Sequence, residues 1–197
     1  SPIPLGTQAL SSTGAFSPLM VVKRDAIAHN LKTMARYCQD EGIQLAMHGK
    51  TSMSPELTMA QLKAGAWGVS AATPSQVRLF RAFGVRNVIL ANELVDPAGI
   101  RWIAEYQEAH PDEEFYCYVD SLAGVEILET ELAGLDFGVV IDVFVEVGAE
   151  GGRTGARELT TVFEVAQASR TSRHLGLVGV AGYEGASASD RGAEGTR

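Results

Sequence analysis

The chain has 197 residues, which sets the prior at one domain, or one and a fraction. Apolar residues make up 46% of it, too many for a disordered chain, and a formal net charge of −8 argues against nucleic acid or an anionic membrane as the main partner. No run approaches the roughly 20 apolar residues needed to span a bilayer, and the longest, 137–147, carries Asp142 and Glu146.

Residues 1–17 have neither the basic start nor the apolar centre of a secretory signal and read as an irregular arm. Asp25 is a good N-cap, and Ile27, Leu31, Met34 and Cys38 then recur on one helical stripe that Gly42 ends. GIQLAMH, 42–48, reads as a short buried strand running into Gly49 and Lys50. Three polar-proline pairs follow, each opening a helix: Ser54-Pro55, Thr73-Pro74 and Asp96-Pro97. The polar side chain takes an orphan N–H, and the proline stands where a missing donor costs nothing. Thr73 with Gln76 also fits a capping box. One cap is worth about 1 kcal/mol, so three in register form a deliberate pattern. Gly65 and Gly84 supply the stops of the first two helices. Between the helices lie apolar strands at 66–72, 87–93, 114–120, 138–148 and 174–183, six with the first, and a polar tail at 187–197.

Alternating strands and helices with nearly continuous apolar strands give a parallel sheet covered by helices. An open doubly wound sheet and a (β/α)8 barrel both satisfy that rule. The strand at 138–148 favours the barrel. Val139, Ile141, Val143, Val145 and Val147 form one face, and Val140, Asp142, Phe144 and Glu146 the other. Carboxylates suit a barrel interior, whereas a sheet covered on both sides wants two apolar faces. No GxGxxG follows the first strand. The expected fold is therefore a TIM-type (β/α)8 barrel over 18–186, incomplete in this chain, since six strands stand where a barrel has eight. The chain then reads as the N-terminal portion of a longer protein. Cys38 and Cys117 make no disulfide framework and read as reduced structural thiols of a cytoplasmic protein.

In a barrel the chemistry collects at the C-terminal ends of the strands. Those ends carry His48 and Lys50, Ser70 and Thr73, Asn92 and Glu93, Asp120, Glu146, the loop GAEGGRTG, and Tyr183 with Glu184. Thr73 and Asp120 read as helix caps and Ser70 as structural. Asn92 serves equally to satisfy loop backbone, and His48 equally to pack. The loop at 148–155 has four glycines in eight positions, with Arg153 among them. Glycine permits close backbone approach, and a turn alone has no need of the arginine. A fixed guanidinium facing an oxyanion is the functional reading. Lys50, placed where a strand ends among small or polar neighbours, reads either as a solvated loop lysine or as an amine held in an active-site mouth. No His, Cys and Asp cluster has metal-ligand spacing.

In chain order AMHGKTSMSPEL, AGAWGVSAATPSQ, NVILANEL, VEVGAEGGRTGAR and GVAGYEG resemble the pyridoxal-phosphate enzymes of the alanine-racemase barrel type. The branch they resemble is that of D-threonine aldolase, D-serine dehydratase and the amino-acid deaminases, over roughly residues 17–186. The resemblance implies that Lys50 forms the Schiff-base link to the cofactor aldehyde. It places Arg153 beside the ring's phenolic oxygen, Tyr183 at the ring or its edge, and His48 and Asn92 near the cofactor. It further implies a lyase acting on D-β-hydroxy amino acids and a homodimer in the complete protein. A divalent metal would be held by a C-terminal region outside this chain. An amino-acid racemase of the same fold and a non-catalytic pyridoxal-phosphate homeostasis protein are the alternatives. Two positions depart from the branch: Ala46-Met47 replaces Arg-Pro or Ala-Pro before the histidine, and Gly148 replaces an acid before the loop.

Overall fold

A computed structural model describes residues 21–136, 138–183 and 185, so the arm at 1–17, the tail at 187–197 and Glu184 lie outside the described residues. The chain divides into two units, Ser1–Ile43 and Gln44–Arg197. The first contains α1 (Arg24–Glu41), none of whose residues is buried. The helix begins two residues earlier than a cap at Asp25 would place it. Lys23 takes the cap position without a side-chain bond, and Asp25 lies inside the first turn. There its charge opposes the positive end of the helix dipole. Gly42 adopts a left-handed φ of 64°, and the Ile43 N–H then reaches the Cys38 carbonyl at 3.0 Å.

The second unit runs β1 (Ala46–His48), α2 (Gly49–Ser52), α3 (Pro55–Lys63), β2 (Gly68–Ala71), α4 (Pro74–Ala82), β3 (Asn87–Glu93), α5 (Pro97–Ala109), β4 (Glu114–Val119), α6 (Leu122–Ala133), β5 (Ile141–Val147), α7 (Leu159–Thr171) and β6 (Leu175–Gly182). The six strands form one parallel sheet in the order β1-β2-β3-β4-β5-β6. A doubly wound sheet reverses its order at a switch point; this one never does, which is the winding of a (β/α)8 barrel. Among the described residues the sheet does not close. Beside the β6 edge, Val178, Val180 and the α7 residues Leu159 and Phe163 are exposed. No helix among the described residues is long and apolar enough to cross a membrane.

The two faces of the sheet divide as the sequence alternation requires. Met47, Val69, Ala71, Val88, Leu90, Phe115, Cys117, Ile141, Val143 and Val145 are buried, in one core with the helix residues Val77, Phe80, Ile100, Leu128 and Val165. Burial pushes the Cys117 thiol up to about 12, which makes it an inert core residue. Asp142 and Phe144 on the other face of β5 are half-buried. Two irregularities break the ladder. Leu90 pairs with Cys117 but Glu93 with Tyr118, so Ala91 and Asn92 bulge out of β3. Val178 is an extra residue in β6, between the partners of Val143 and Phe144.

All three proline-preceding caps form. Ser54 accepts from the Leu57 N–H at 3.3 Å, Thr73 from Gln76 at 3.3 Å and Asp96 from Gly99 at 2.8 Å. The box at Thr73 is displaced by one residue, because the Gln76 side chain accepts from the Ala72 N–H at 2.8 Å. Asp120 is not a cap. Helix α6 starts at Leu122, so the cap position falls to Ser121, which accepts from Gly124 at 3.2 Å. The first strand is also shorter than expected, since Gly42 belongs to the end of α1 and pairing with β2 begins only at Ala46.

Gly49 is needed for packing against the core. A Cβ there would overlap a Val69 γ-methyl and lie 2.6 Å from the Phe80 ring, both side chains being buried. The room that Gly49 makes is thus taken up by Val69 and Phe80, not by the neighbouring lysine. Gly49→Ala should cost about 1–3 kcal/mol by overpacking; urea denaturation followed by circular dichroism measures it, and an unchanged midpoint would contradict this packing.

At the opposite end of the strands from the candidate site, Arg81 of α4 forms a buried clamp. Its guanidinium donates to Glu113 Oε2 at 2.8 Å, Gln107 Oε1 at 3.0 Å, the Glu114 carbonyl at 2.9 Å and the Val85 and Arg86 carbonyls. It also lies 5.1 Å from the centre of the Tyr106 ring, whose hydroxyl donates to the same Glu113 carboxylate at 3.1 Å. Desolvation lowers the Arg81 pKa, and Glu113 opposes that shift. One side chain thereby joins α4, α5 and the starts of β3 and β4.

Candidate active site

The C-terminal ends of the strands carry the titratable groups expected there. Lys50 is not on the strand itself. It sits in the one-turn helix α2, which is closed by the Met53 N–H on the Gly49 carbonyl at 3.0 Å and by Thr51 Oγ1 on the His48 carbonyl at 3.0 Å. Lys50 is half-buried, and no ion pair or hydrogen bond engages its amine among the described residues. The sequence has four lysines. Lys23, Lys32 and Lys63 are exposed and lie at or within α1 and α3. Of the two lysines in the second unit, Lys50 alone follows directly on the end of a strand.

His48 precedes it by two residues, and its Nδ1 is 2.7 Å from Ser70 Oγ. Ser70 is 4% exposed and lies opposite His48 in the β1–β2 register. The hydroxyl fixes the imidazole's orientation and leaves Nε2 for other partners. Ser70 therefore has a role that local pattern did not reveal; only the register between strands pairs it with His48. Asn92, in the β3 bulge, donates to the Ala72 carbonyl at 3.1 Å. This satisfies a loop carbonyl and leaves the Asn92 Oδ1 facing away from that bond.

The glycine loop leaves β5 and folds back beside it. Gly148 donates to the Ala156 carbonyl and Ala156 to that of Glu146, both at 2.9 Å. At Gly148 a Cβ would overlap the Thr154 carbonyl, so the returning loop, which pairs in parallel with the end of β5, itself excludes the acid expected from the resembled branch. Gly151 and Gly155 take positive φ of 69° and 87°. The loop does use an arginine structurally, but it is Arg157, which donates to the carbonyls of Gly152, at 2.8 Å, and Gly155. Arg153 is exposed, and no acid pairs with it among the described residues. The division of labour leaves Arg153 available to a ligand.

Beneath the loop, three carboxylates meet from the ends of β3, β4 and β5. Asp120 Oδ2 accepts from the Gly155 N–H at 3.1 Å, and Glu146 Oε1 from the Thr154 hydroxyl at 2.7 Å. Glu93 lies against Asp120 and Ser121, and its Oε1 is buried without a partner. Burial first, then the neighbouring Asp120 and Glu146 charges, push the Glu93 pKa up to about 7. Tyr183 follows β6 and is 61% exposed, its ring over the Gly185 backbone, where a Cβ would collide with it. No hydrogen bond joins Lys50, Arg153 and Tyr183 among the described residues; what they share is the rim.

The alanine racemase N-terminal domain matches residues 22–196. The chain belongs to that family. It is 26% identical over 171 residues to a 3-hydroxy-D-aspartate aldolase of Paracoccus denitrificans (strain Pd 1222), covering 86% of this chain and 43% of the relative. It is 28% identical over 169 residues to a D-threonine aldolase of Arthrobacter sp, again covering 86% and 43%. Among solved structures, D-threo-3-hydroxyaspartate dehydratase from Delftia sp. HT23 superposes with a TM-score of 0.77 at 22% identity, over 88% of this chain and 45% of that one. The racemase-type barrel winding read from the strand order is thus the family fold. The chain spans less than half the length of the relatives it matches.

Proposed function

We propose that this alanine racemase-type domain supplies the lysine-bearing rim of a pyridoxal-phosphate-dependent lyase acting on D-β-hydroxy amino acids. The observation that carries the reading is that the strand ends carry both Lys50, whose amine no ion pair engages among the described residues, and an arginine that its own loop does not use. The donor set fits the cofactor's chemistry: an amine able to condense with an aldehyde, a guanidinium for an oxyanion, and a phenol at the end of β6. The relatives named above are aldolases and a dehydratase for D-configured hydroxy amino acids, which supports the substrate class.

Pyridoxal phosphate, when bound, supplies an electron-accepting ring for the pair released as a bond at the substrate Cα breaks. In this reading Lys50 anchors the cofactor, and its freed amine takes or returns a proton at that Cα. Arg153 holds a ring oxyanion in its ionised state. His48, oriented through Nδ1 by Ser70, presents Nε2 for proton exchange with the β-hydroxyl. Loss of that hydroxyl and cleavage of Cα–Cβ both start from this arrangement.

Arg153→Gln tests the loop. If Arg153 pairs with an oxyanion, the change removes a charge-assisted hydrogen bond of roughly 1.5–3 kcal/mol, about a tenfold to hundredfold loss in cofactor affinity or rate. The pH titration of the cofactor's visible band should shift while circular dichroism stays unchanged. An unaltered titration and affinity would return the loop to a purely structural role.

A further inference from the structure

We propose that Glu93, Asp120 and Glu146 form a latch on the glycine loop, in which one proton shared between Glu93 and Asp120 keeps the loop seated and its loss lets the loop, and Arg153 with it, lift from the strand ends. They are positioning residues. Two of the loop's donors end on this cluster, the Gly155 N–H on Asp120 and the Thr154 hydroxyl on Glu146. Glu146 is 6% exposed, and Glu93 Oε1 is buried without a partner. The charged groups facing Glu93 are Asp120 from the end of β4 and Glu146 from β5, with the Ser121 hydroxyl beside them and no cation among the described residues to offset them. Tyr118 of β4 faces Glu146, and burial, then that charge, raises the pKa of its phenol.

Two carboxylates in contact cannot both ionise cheaply, so they share a proton. Held on Glu93, that proton donates to Asp120, which still accepts from Gly155. When it leaves, three like charges crowd one pocket. In the proposed opening Asp120 turns away from the new charge and gives up Gly155. Glu93 titrates at about 7 against an ordinary 4.5. An acid whose folded pKa is raised stabilises the folded form fully below its ordinary pKa and loses that contribution as pH rises through the raised one. The latch is therefore most firmly closed below about pH 4.5 and loosens progressively as pH rises from 4.5 to about 7. Its consequence for Arg153 rests on the function proposed above; the latch itself does not.

Amide hydrogen exchange at Gly155 and Ala156 reads it without cofactor, by NMR on the full chain with intrinsic rates corrected for pH and core amides of β5 as reference. Protection should fall about tenfold or more between pH 4.5 and about 7 and level off above that, a factor of ten per unit of pKa difference. Glu93→Gln keeps a neutral donor toward Asp120 and should hold protection high throughout. Asp120→Ala should hold it low throughout. A wild-type profile flat with pH, or a Glu93→Gln variant with the wild-type transition, overturns the latch. Because the wild-type profile decides by itself, a variant that misfolds, seen in its core amides, does not protect the idea. A pH transition without any cofactor band refutes the cofactor reading alone; a cofactor band with flat protection refutes the latch alone.

Discussion

Lys50→Ala is expected to abolish the absorption band near the violet edge that pyridoxal phosphate gives when joined to the protein, and borohydride should no longer fix cofactor to the chain. Turnover should fall by at least about 10²–10⁴-fold, the usual contribution of a positioned proton-transfer group alone. The fold should survive. Lys50 is half-buried and no ion pair holds it among the described residues, so the stability change should stay within about 0.5 kcal/mol. The alternatives are few, since the sequence has only three other lysines, all of them exposed. A band of undiminished strength in Lys50→Ala, with reductive labelling of Lys23, Lys32 or Lys63, would sink the assignment.

Arg81→Leu should produce the largest loss of stability in the molecule, about 3–5 kcal/mol, the usual cost of removing one partner of a buried ion pair. Arg81 and Glu113 have side chains 2% and 17% exposed. The substitution strands Glu113 and leaves the carbonyls of Val85, Arg86 and Glu114 without the guanidinium that serves them. Since a domain of this size has only about 5–15 kcal/mol in all, the variant should unfold at much lower urea. A midpoint shift worth less than about 1 kcal/mol would mean that the clamp is solvated and weak. Comparison with Glu113→Gln, which retains a polar partner for Arg81 and Tyr106, separates the ionic from the hydrogen-bonded part.

The strands could be read from the sequence because their signal is local: an apolar run, a polar cap and a proline recur along one stretch of chain. The barrel winding was legible at 138–148 because its two faces differ in chemistry over eleven consecutive residues. What stayed hidden depends on partners distant in sequence. Ser70 meets His48 through strand register, and Asp120 meets Gly155 across 35 positions. At Asp120-Ser121 two residues compete for one cap, and only the helix start decides between them. Arg81 left a faint trace, since it falls four residues after Val77 on the buried stripe of its helix. A cation there asks for a buried acid, but nothing local identifies Glu113.

The sequential strand order also sets how the domain can be built. Paired residues are never far apart along the chain, from 19 positions for Val69 with Val88 to 35 for Phe144 with Gly179. Loop-closure entropy grows with the logarithm of such separations, so no pairing step waits on a long closure, unlike the β-topologies that fold slowly. Each strand-helix unit can dock on its predecessor as it leaves the ribosome, because the strand it needs has already been made. Throughout synthesis one unpaired edge stays at β1 while the other moves to the most recently added strand. In the described sheet that second edge is β6, where Val178 and Val180 are exposed.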